Sequence, residues 1–145
     1  MKADIIPFDP QHAGETVNMW RESKERAIGQ KEKHSVESHL HFLTGILPEE
    51  FTIDLAMAEG KVVGMAAYNE TEIGQLYIHV EYQGFGIGQM LLDKAKAMSS
   101  GRLSLYTFEV NHNARKFYEK NGFVVIGRGH ENEENLPDIL YEWKA

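Results

Sequence analysis

The residues with the clearest chemical potential run from Val80 to Leu92, Val-Glu-Tyr-Gln-Gly-Phe-Gly-Ile-Gly-Gln-Met-Leu-Leu, where a strand-like alternation passes through three glycines into a helical period. Glycine lets the backbone approach a ligand closely, and the first turn of a helix offers unpaired N–H groups at the positive end of its dipole. Together they predict an anion site that would suit a pyrophosphate, although glycines in a strand-to-helix connection can also serve packing alone. Two familiar phosphate motifs do not describe this turn. The dinucleotide fingerprint needs Gly-x-Gly-x-x-Gly and an acid about 20 residues on, whereas the glycines here are Gly84, Gly86 and Gly88, with no acid near Leu105. A mononucleotide P-loop needs Gly-Lys-Ser or Gly-Lys-Thr after the turn, and neither is present.

Metal and thiol chemistry are disfavoured. The seven histidines include His34, His39 and His41, but no HExxH or similar spacing occurs, and His39 and His41 would point to different sides of a helix. No metal is expected. With no cysteine in the chain, disulfides, thiolate metal sites and a cysteine nucleophile are excluded. A net charge of −7 argues against a nucleic-acid partner, since such proteins carry a basic footprint, and tolerates a cationic substrate. The apolar runs fall short of the roughly 18 residues of a membrane span, and residues 1–10 lack the basic start and apolar stretch of a signal peptide. The expectation is one domain with no membrane association and a cytoplasmic location.

The elements that must position the turn can be read from the periodicities. Asp4–Phe8 reads as a first strand, and Pro10 opens a helix to about Ala27 with Val17, Trp20, Lys24 and Ala27 on one face. Ser35 is placed to cap a second helix with Val36, Leu40 and Leu43 inward, closed by Pro48. Phe51–Ala58 and Lys61–Tyr68 form a hairpin about Glu59-Gly60. Glu72–Val80 is a further strand, with Leu76, Ile78 and Val80 opposite Ile73, Tyr77 and His79. A helix with Leu91, Leu92, Ala95 and Met98 inward then ends at Ser99-Ser-Gly101. Leu103–Phe108, Phe123–Arg128 and Asp138–Lys144 read as strands, with a short helix over 113–121 ended by Gly122 and an acidic loop over 131–135.

The stretch Gln83-Gly-Phe-Gly86-Ile-Gly88 resembles the coenzyme A signature of the GNAT superfamily of N-acetyltransferases, Gln/Arg-x-x-Gly-x-Gly/Ala at a strand-to-helix turn. A second block, Asn111-His-Asn-Ala-Arg-Lys-Phe-Tyr118-Glu-Lys-Asn-Gly-Phe123, is similar to that family's Asn-x-x-Ala-x-x-x-Tyr-x-x-x-Gly-Phe segment. With the two helices and three strands before them, the resemblance covers nearly the whole chain in the family's order. It implies an α/β fold: a mixed, mostly antiparallel open sheet of about seven strands flanked by four helices. It also implies acetyl-CoA as cosubstrate and an amine acceptor on a small molecule or peptide; a homodimer is a habit of the family.

Further roles follow from the resemblance. The backbone of Gln83, Gly84, Phe85, Gly86, Ile87, Gly88 and Gln89 would hold the pyrophosphate, and Ile78, His79 and Val80 would pair with the pantetheine arm. Asn111 matches the family's coenzyme-contacting asparagine. An open splay between the fourth and fifth strands would leave amides near Tyr77 and Ile78 free to polarise the thioester carbonyl. Tyr118 would stand beside the sulfur, where a phenol with a reference pKa near 10 is protonated and can donate to the departing thiolate. Glu72, eleven residues before Gln83, matches the base glutamate of the histone-acetylating branch, while His79 is an alternative base, direct or through water. The branch that acetylates protein N-termini carries a glutamate where Tyr106 stands here. Without cysteine, direct attack in a ternary complex is expected; the alternative is a non-catalytic acetyl-CoA sensor on the same fold.

Overall fold

The computed structural model describes residues 2–145; residue 1, the first of the segment read against a signal peptide, lies outside them. The strands are β1 (Asp4–Pro7), β2 (Thr52–Ala58), β3 (Lys61–Tyr68), β4 (Ile73–Ile78), β5 (Arg102–Phe108), β6 (Val124–Gly129) and β7 (Asp138–Lys144). The helices are α1 (Ala13–Ile28), α2 (Val36–His41), α3 (Ile87–Met98) and α4 (His112–Lys120). Pro10–His12 form a 3-10 turn that leads into α1, so the proline opens a tighter turn than the helix expected there.

Local chemistry sets the boundaries. The Asp9 side chain accepts from the Gln11 amide at 3.0 Å, and Gly29 ends α1 in the left-handed region at φ 71°. Ser35 caps α2 by accepting from the Ser38 amide at 3.1 Å. Glu59 and Gly60 both take positive φ, the backbone of a two-residue hairpin turn whose twist suits the flanking strands. In α1 the hydroxyls of Thr16 and Ser23 donate to the carbonyls of His12 and Met19, each at 2.8 Å, which allows both residues to be buried within a helix.

The strands form two antiparallel sheets, ordered β1-β2-β3-β4 and β5-β7-β6. They meet at one parallel bridge between Glu72 and Ser104, so the mixed character of the sheet rests on that contact. Beyond it β4 and β5 part. The register of β4 on β3 slips just there, with Ala67 opposite Gln75 but Tyr68 opposite Ile73, leaving Gly74 as an extra residue. A bulge bends its strand and raises its twist. A Cβ at Gly74 would meet the Phe51 ring at 2.9 Å, so any other residue there requires the ring to shift.

Two apolar layers sandwich the sheets. One contains Ile87, Leu91, Leu92 and Ala95 of α3 with Tyr118, Leu103, Leu105, Ile139 and Tyr141. The other contains Val17 and Trp20 of α1 with Leu43, Ile53, Leu55 and Met65. Each fully buried Leu or Ile contributes about 1.5–3 kcal/mol over its exposed state, enough to fix α3 and α1 on opposite faces of β4.

Four expectations are corrected. Val36 is 45% exposed, and Met98, the last residue of α3, is 60% exposed. The bulge at Gly74 puts Ile73 in the same layer as Leu76 and Ile78, rather than opposite them. The fourth strand spans Ile73–Ile78, and Val80–Tyr82 form a 3-10 turn. The His79 side chain starts this turn by accepting from the Glu81 amide at 3.1 Å, a local bond that competes with strand continuation.

Candidate active site

A cleft of about 980 Å³ opens where β4 leaves β5, lined by the end of β4, the 80–89 turn, α4 and the last part of α1. Its floor is the first turn of α3. Gly86 is the N-cap at φ 83° and offers no side-chain cap, and the first backbone bond into the helix runs from the Met90 amide to the Gly86 carbonyl at 3.1 Å. The amides of Ile87, Gly88 and Gln89 therefore have no partner within the helix. They front the cleft beside Gly84 and Gly86, the arrangement that binds phosphate oxygens. A Cβ on Gly88 would touch Ile78 at 3.5 Å and Phe117 at 3.6 Å, narrowing the cleft where strand and helix converge.

The wall is the open edge of β4. The His79 amide donates to Val63 O at 2.8 Å, so by the alternation of an antiparallel ladder the N–H and C=O of Ile78 point away from β3. The Ile78 carbonyl instead accepts from Gln83 Nε2 at 3.1 Å and lies 3.3 Å from Ser23 Oγ, whose single proton is shared with the nearer Met19 carbonyl. The same alternation turns the Tyr77 amide towards β3. Of the two expected donors, the Ile78 amide is the one that faces the splay.

Tyr118 lines the cleft and is 6% exposed, its ring centroid 5.4 Å from both Phe117 and Phe123 and 6.2 Å from Tyr141. Burial, and after it the nearby Tyr77 phenol, push its pKa well above the usual phenol value. Among the described residues His39 Nδ1 is the only fully buried side-chain polar atom without a partner, and no residue bonds the Tyr118 hydroxyl, so that hydroxyl is reached from the cleft. A protonated phenol with no protein partner is free to donate to a ligand.

Asn111 caps α4 by accepting from the Ala114 amide at 3.2 Å, which leaves its Nδ2 to donate into the cleft it lines. Gln89 Nε2 is shared between Asp93 at 2.8 Å and Asn121 at 2.7 Å, so its backbone amide is the group it presents to a ligand. Val80, Gln83 and Ile87 also line the cleft, whereas Phe85 is 51% exposed and does not.

The two candidate bases lie apart from this group. His79 is not in the lining; its Nδ1 accepts from the Glu81 amide and its Nε2 lies 3.2 Å from Glu22. A neutral imidazole so bonded carries its proton on Nε2 and keeps no free lone pair. Glu72 is exposed, at the far end of β4, about 13 Å along the strand from Leu76, the innermost β4 residue of the cleft. Among the described residues no carboxylate side chain lines the cleft.

Several lining residues carried no readable signal. Arg26 and Lys120 are single cations outside any motif, and Ser23 is one of two buried hydroxyls, with Thr16, on the inner face of α1. On the other face of the sheet, Lys24 sits between Glu32 at 3.3 Å and Glu134 at 2.8 Å. Gln30 and Lys33 donate to carbonyls at Glu134 and Glu133, tying the loop after α1 to the loop before β7. Tyr77 stacks on Trp20 there, with centroids 6.0 Å apart. Among the described residues no group of three or more His, Cys, Asp or Glu side chains is arranged to hold a metal, and no helix is long and apolar enough to cross a membrane.

The chain is similar to several known acetyltransferases. It is 30% identical over 95 residues to the peptidyl-lysine N-acetyltransferase YjaB of Salmonella typhimurium, a match spanning 66% of this chain and 65% of that relative's length. The solution structure of apo YjaB from Escherichia coli superposes with a TM-score of 0.80 at 23% identity, covering 99% of this chain and 98% of that one. The PaiA N-acetyltransferase of Thermoplasma acidophilum, crystallised with coenzyme A, superposes with a TM-score of 0.75 at 22% identity over 100% of both chains. These two likenesses show the fold. Residues 49–125, more than half of the chain and including the glycine turn and Tyr118, match the model of the acetyltransferase (GNAT) domain, and the chain belongs to the GNAT acetyltransferase family.

Proposed function

We propose that the protein moves an acetyl group from acetyl-CoA to a primary amine of a small molecule or peptide, by direct attack in a ternary complex. The observation that carries this reading is the convergence on one cleft of the uncapped start of α3, the outward-facing Ile78 amide and the Tyr118 phenol. The cleft suits coenzyme A: it combines free helix amides for a diphosphate, an open strand edge for an arm that contains amides, and a lining without carboxylates.

In this scheme acetyl-CoA supplies the activated acyl group, and the chain's residues orient and protonate it. The α3 amides anchor the diphosphate, and the Asn111 Nδ2 and the free edge of β4 hold the arm. The Ile78 amide donates to the thioester oxygen as negative charge develops there. Tyr118 gives its proton to the departing sulfur. Glu72 stays as the candidate base, acting through water from the far end of β4, because His79 has no lone pair to offer in this geometry. A peptide lysine is the acceptor class suggested by the name of the YjaB relative. The reading includes a cytoplasmic location and, by family habit, a homodimer.

A second reading, a non-catalytic acetyl-CoA sensor, is favoured by one observation: among the described residues no acidic side chain lines the cleft to take the amine proton. Incubation of acetyl-CoA with a panel of amines and lysine peptides, while free thiol is followed, separates the two. Acceptor-dependent thiol release with initial-rate lines that intersect supports transfer in a ternary complex. Parallel lines contradict direct attack, and tight coenzyme binding without turnover on the whole panel supports the sensor.

A further inference from the structure

The chain carries 22 acidic residues against 15 basic, yet the two charged side chains that line the cleft are cations, Arg26 and Lys120. They stand on opposite sides of the sheet, since α1 packs into one apolar layer and α3 and α4 into the other. Arg26 follows Ser23, whose hydroxyl reaches the Ile78 carbonyl, so it borders the strand side of the cleft. Its ion pair with Glu22, at 3.3 Å, is exposed and holds it only weakly. Lys120 is the last residue of α4. Its neighbour Asn121 accepts from Gln89, the third residue of α3, at 2.7 Å, so Lys120 borders the first turn of α3 from the helix side. Among the described residues its ammonium takes part in no ion pair or hydrogen bond.

Coenzyme A carries a diphosphate and, separately, a phosphate on the ribose 3′ oxygen. The α3 amides match the diphosphate, but a dianionic monoester beyond it calls for a cation. With the arm lying along β4 and the diphosphate at Gly86 to Gly88, α1 closes the strand side through the Ser23 contact to Ile78. The adenosine end then continues over the side formed by α3 and α4.

We propose that Lys120 binds the ribose 3′-phosphate of coenzyme A, and that Arg26, across the cleft, serves the diphosphate. This rests on the coenzyme reading above. It is distinct from a role for Lys120 in offsetting the negative end of the α4 dipole, which would affect stability and would not distinguish one ligand from another.

The test is calorimetric titration of coenzyme A and of 3′-dephospho-coenzyme A into the wild-type protein, Lys120→Ala, Lys120→Arg and Arg26→Ala. The wild type is expected to prefer coenzyme A by about tenfold, the scale of one charge-assisted contact. Lys120→Ala should lose that preference while keeping its affinity for the dephospho form within about twofold, and Lys120→Arg should retain the preference. Arg26→Ala should weaken both ligands in the same proportion and preserve their ratio. Lys120 is exposed, so the melting temperature of Lys120→Ala should stay at the wild-type value. The proposal is overturned if Lys120→Ala keeps the wild-type preference, if it loses affinity for both ligands equally, or if the wild type shows no preference. Binding of neither ligand by the wild type would instead remove the coenzyme reading and the proposal with it.

Discussion

Replacing Tyr118 with phenylalanine removes one oxygen and leaves the packing of the ring on Phe117, Phe123 and Tyr141 in place. Because the hydroxyl has no protein partner among the described residues, the change in stability should stay below about 1 kcal/mol, the scale of one hydrogen bond. The effect on the reaction should be larger. General acid catalysis contributes about 10²–10⁴-fold, and a thiolate, whose conjugate acid has a pKa near 8.5, leaves tolerably well without a proton. The lower end applies, and kcat should fall about 100-fold, or roughly 2.7 kcal/mol of barrier. The KM for acetyl-CoA should hold within about threefold, since the lost interaction is made only in the transition state. Burial holds the phenol proton to a pH above its usual range, so Tyr118 does not titrate between pH 6 and 9, and wild-type and variant profiles should run parallel there. Thiol release at saturating acceptor, with coenzyme affinity from calorimetry and the melting temperature from calorimetric scans, measures all three quantities. Unchanged kcat, or a loss of kcat that merely tracks a loss of binding and stability, would refute the role given to Tyr118.

Other perturbations test the parts separately. Gly86→Ala forces a side chain into the left-handed region at φ 83°, at a cost of about 1–2 kcal/mol; if the turn relaxes, its amides are misplaced, so calorimetry should show coenzyme affinity down about tenfold or more. His39, buried and edge-on to Trp20 at 4.2 Å, has its pKa lowered by burial to about 4. The folded protein keeps His39 neutral while the unfolded chain takes up a proton below about pH 6.5. Stability is therefore full above pH 6.5 and declines towards pH 4, by roughly 2–3 kcal/mol for this group. Glu32, whose pKa is lowered overall by Lys24 and the His34 amide against the opposing effect of burial, adds its own loss at the acid end. The difference in urea unfolding between wild type and His39→Phe across that range isolates the histidine. Lys24→Met leaves Glu32 and Glu134 facing each other without their cation and should cost about 3 kcal/mol in urea unfolding, with the α1 loop released from the loop before β7 in hydrogen exchange.

The turn from Gln83 to Gly88 was legible because its shape is set by the backbone. Positive φ at Gly84 and Gly86 and an uncapped helix start follow from glycine's lack of a side chain, whatever packs around them. Local capping and hairpin signals were readable for the same reason, as at Ser35, Glu59-Gly60 and Gly29. The reach of the fourth strand was not. Its alternation continues to Val80, but the His79 side chain bonds its own neighbour at Glu81, and the slip at Gly74 that moves Ile73 to the other layer lies in the pairing of β4 with β3, beside the Phe51 ring from a segment more than twenty residues earlier. The candidate bases illustrate the same limit, since the resemblance singled out Glu72 and residue type His79, while neither side chain lines the cleft.

The order of residues made legible the sequence of strands and helices, the glycine turn with its uncapped helix start and the block containing Tyr118, where the signals lie within a few positions along the chain. Only the packed molecule decided that β4 and β5 part beyond Glu72, that the Ile78 amide faces the gap, that the Tyr118 hydroxyl is left without a protein partner and open to the cleft, and that Arg26 and Lys120 line one cleft. Those properties belong to surfaces formed by segments as much as about 90 residues apart, where burial and the paired edge of a strand depend on what stands opposite rather than on what comes next.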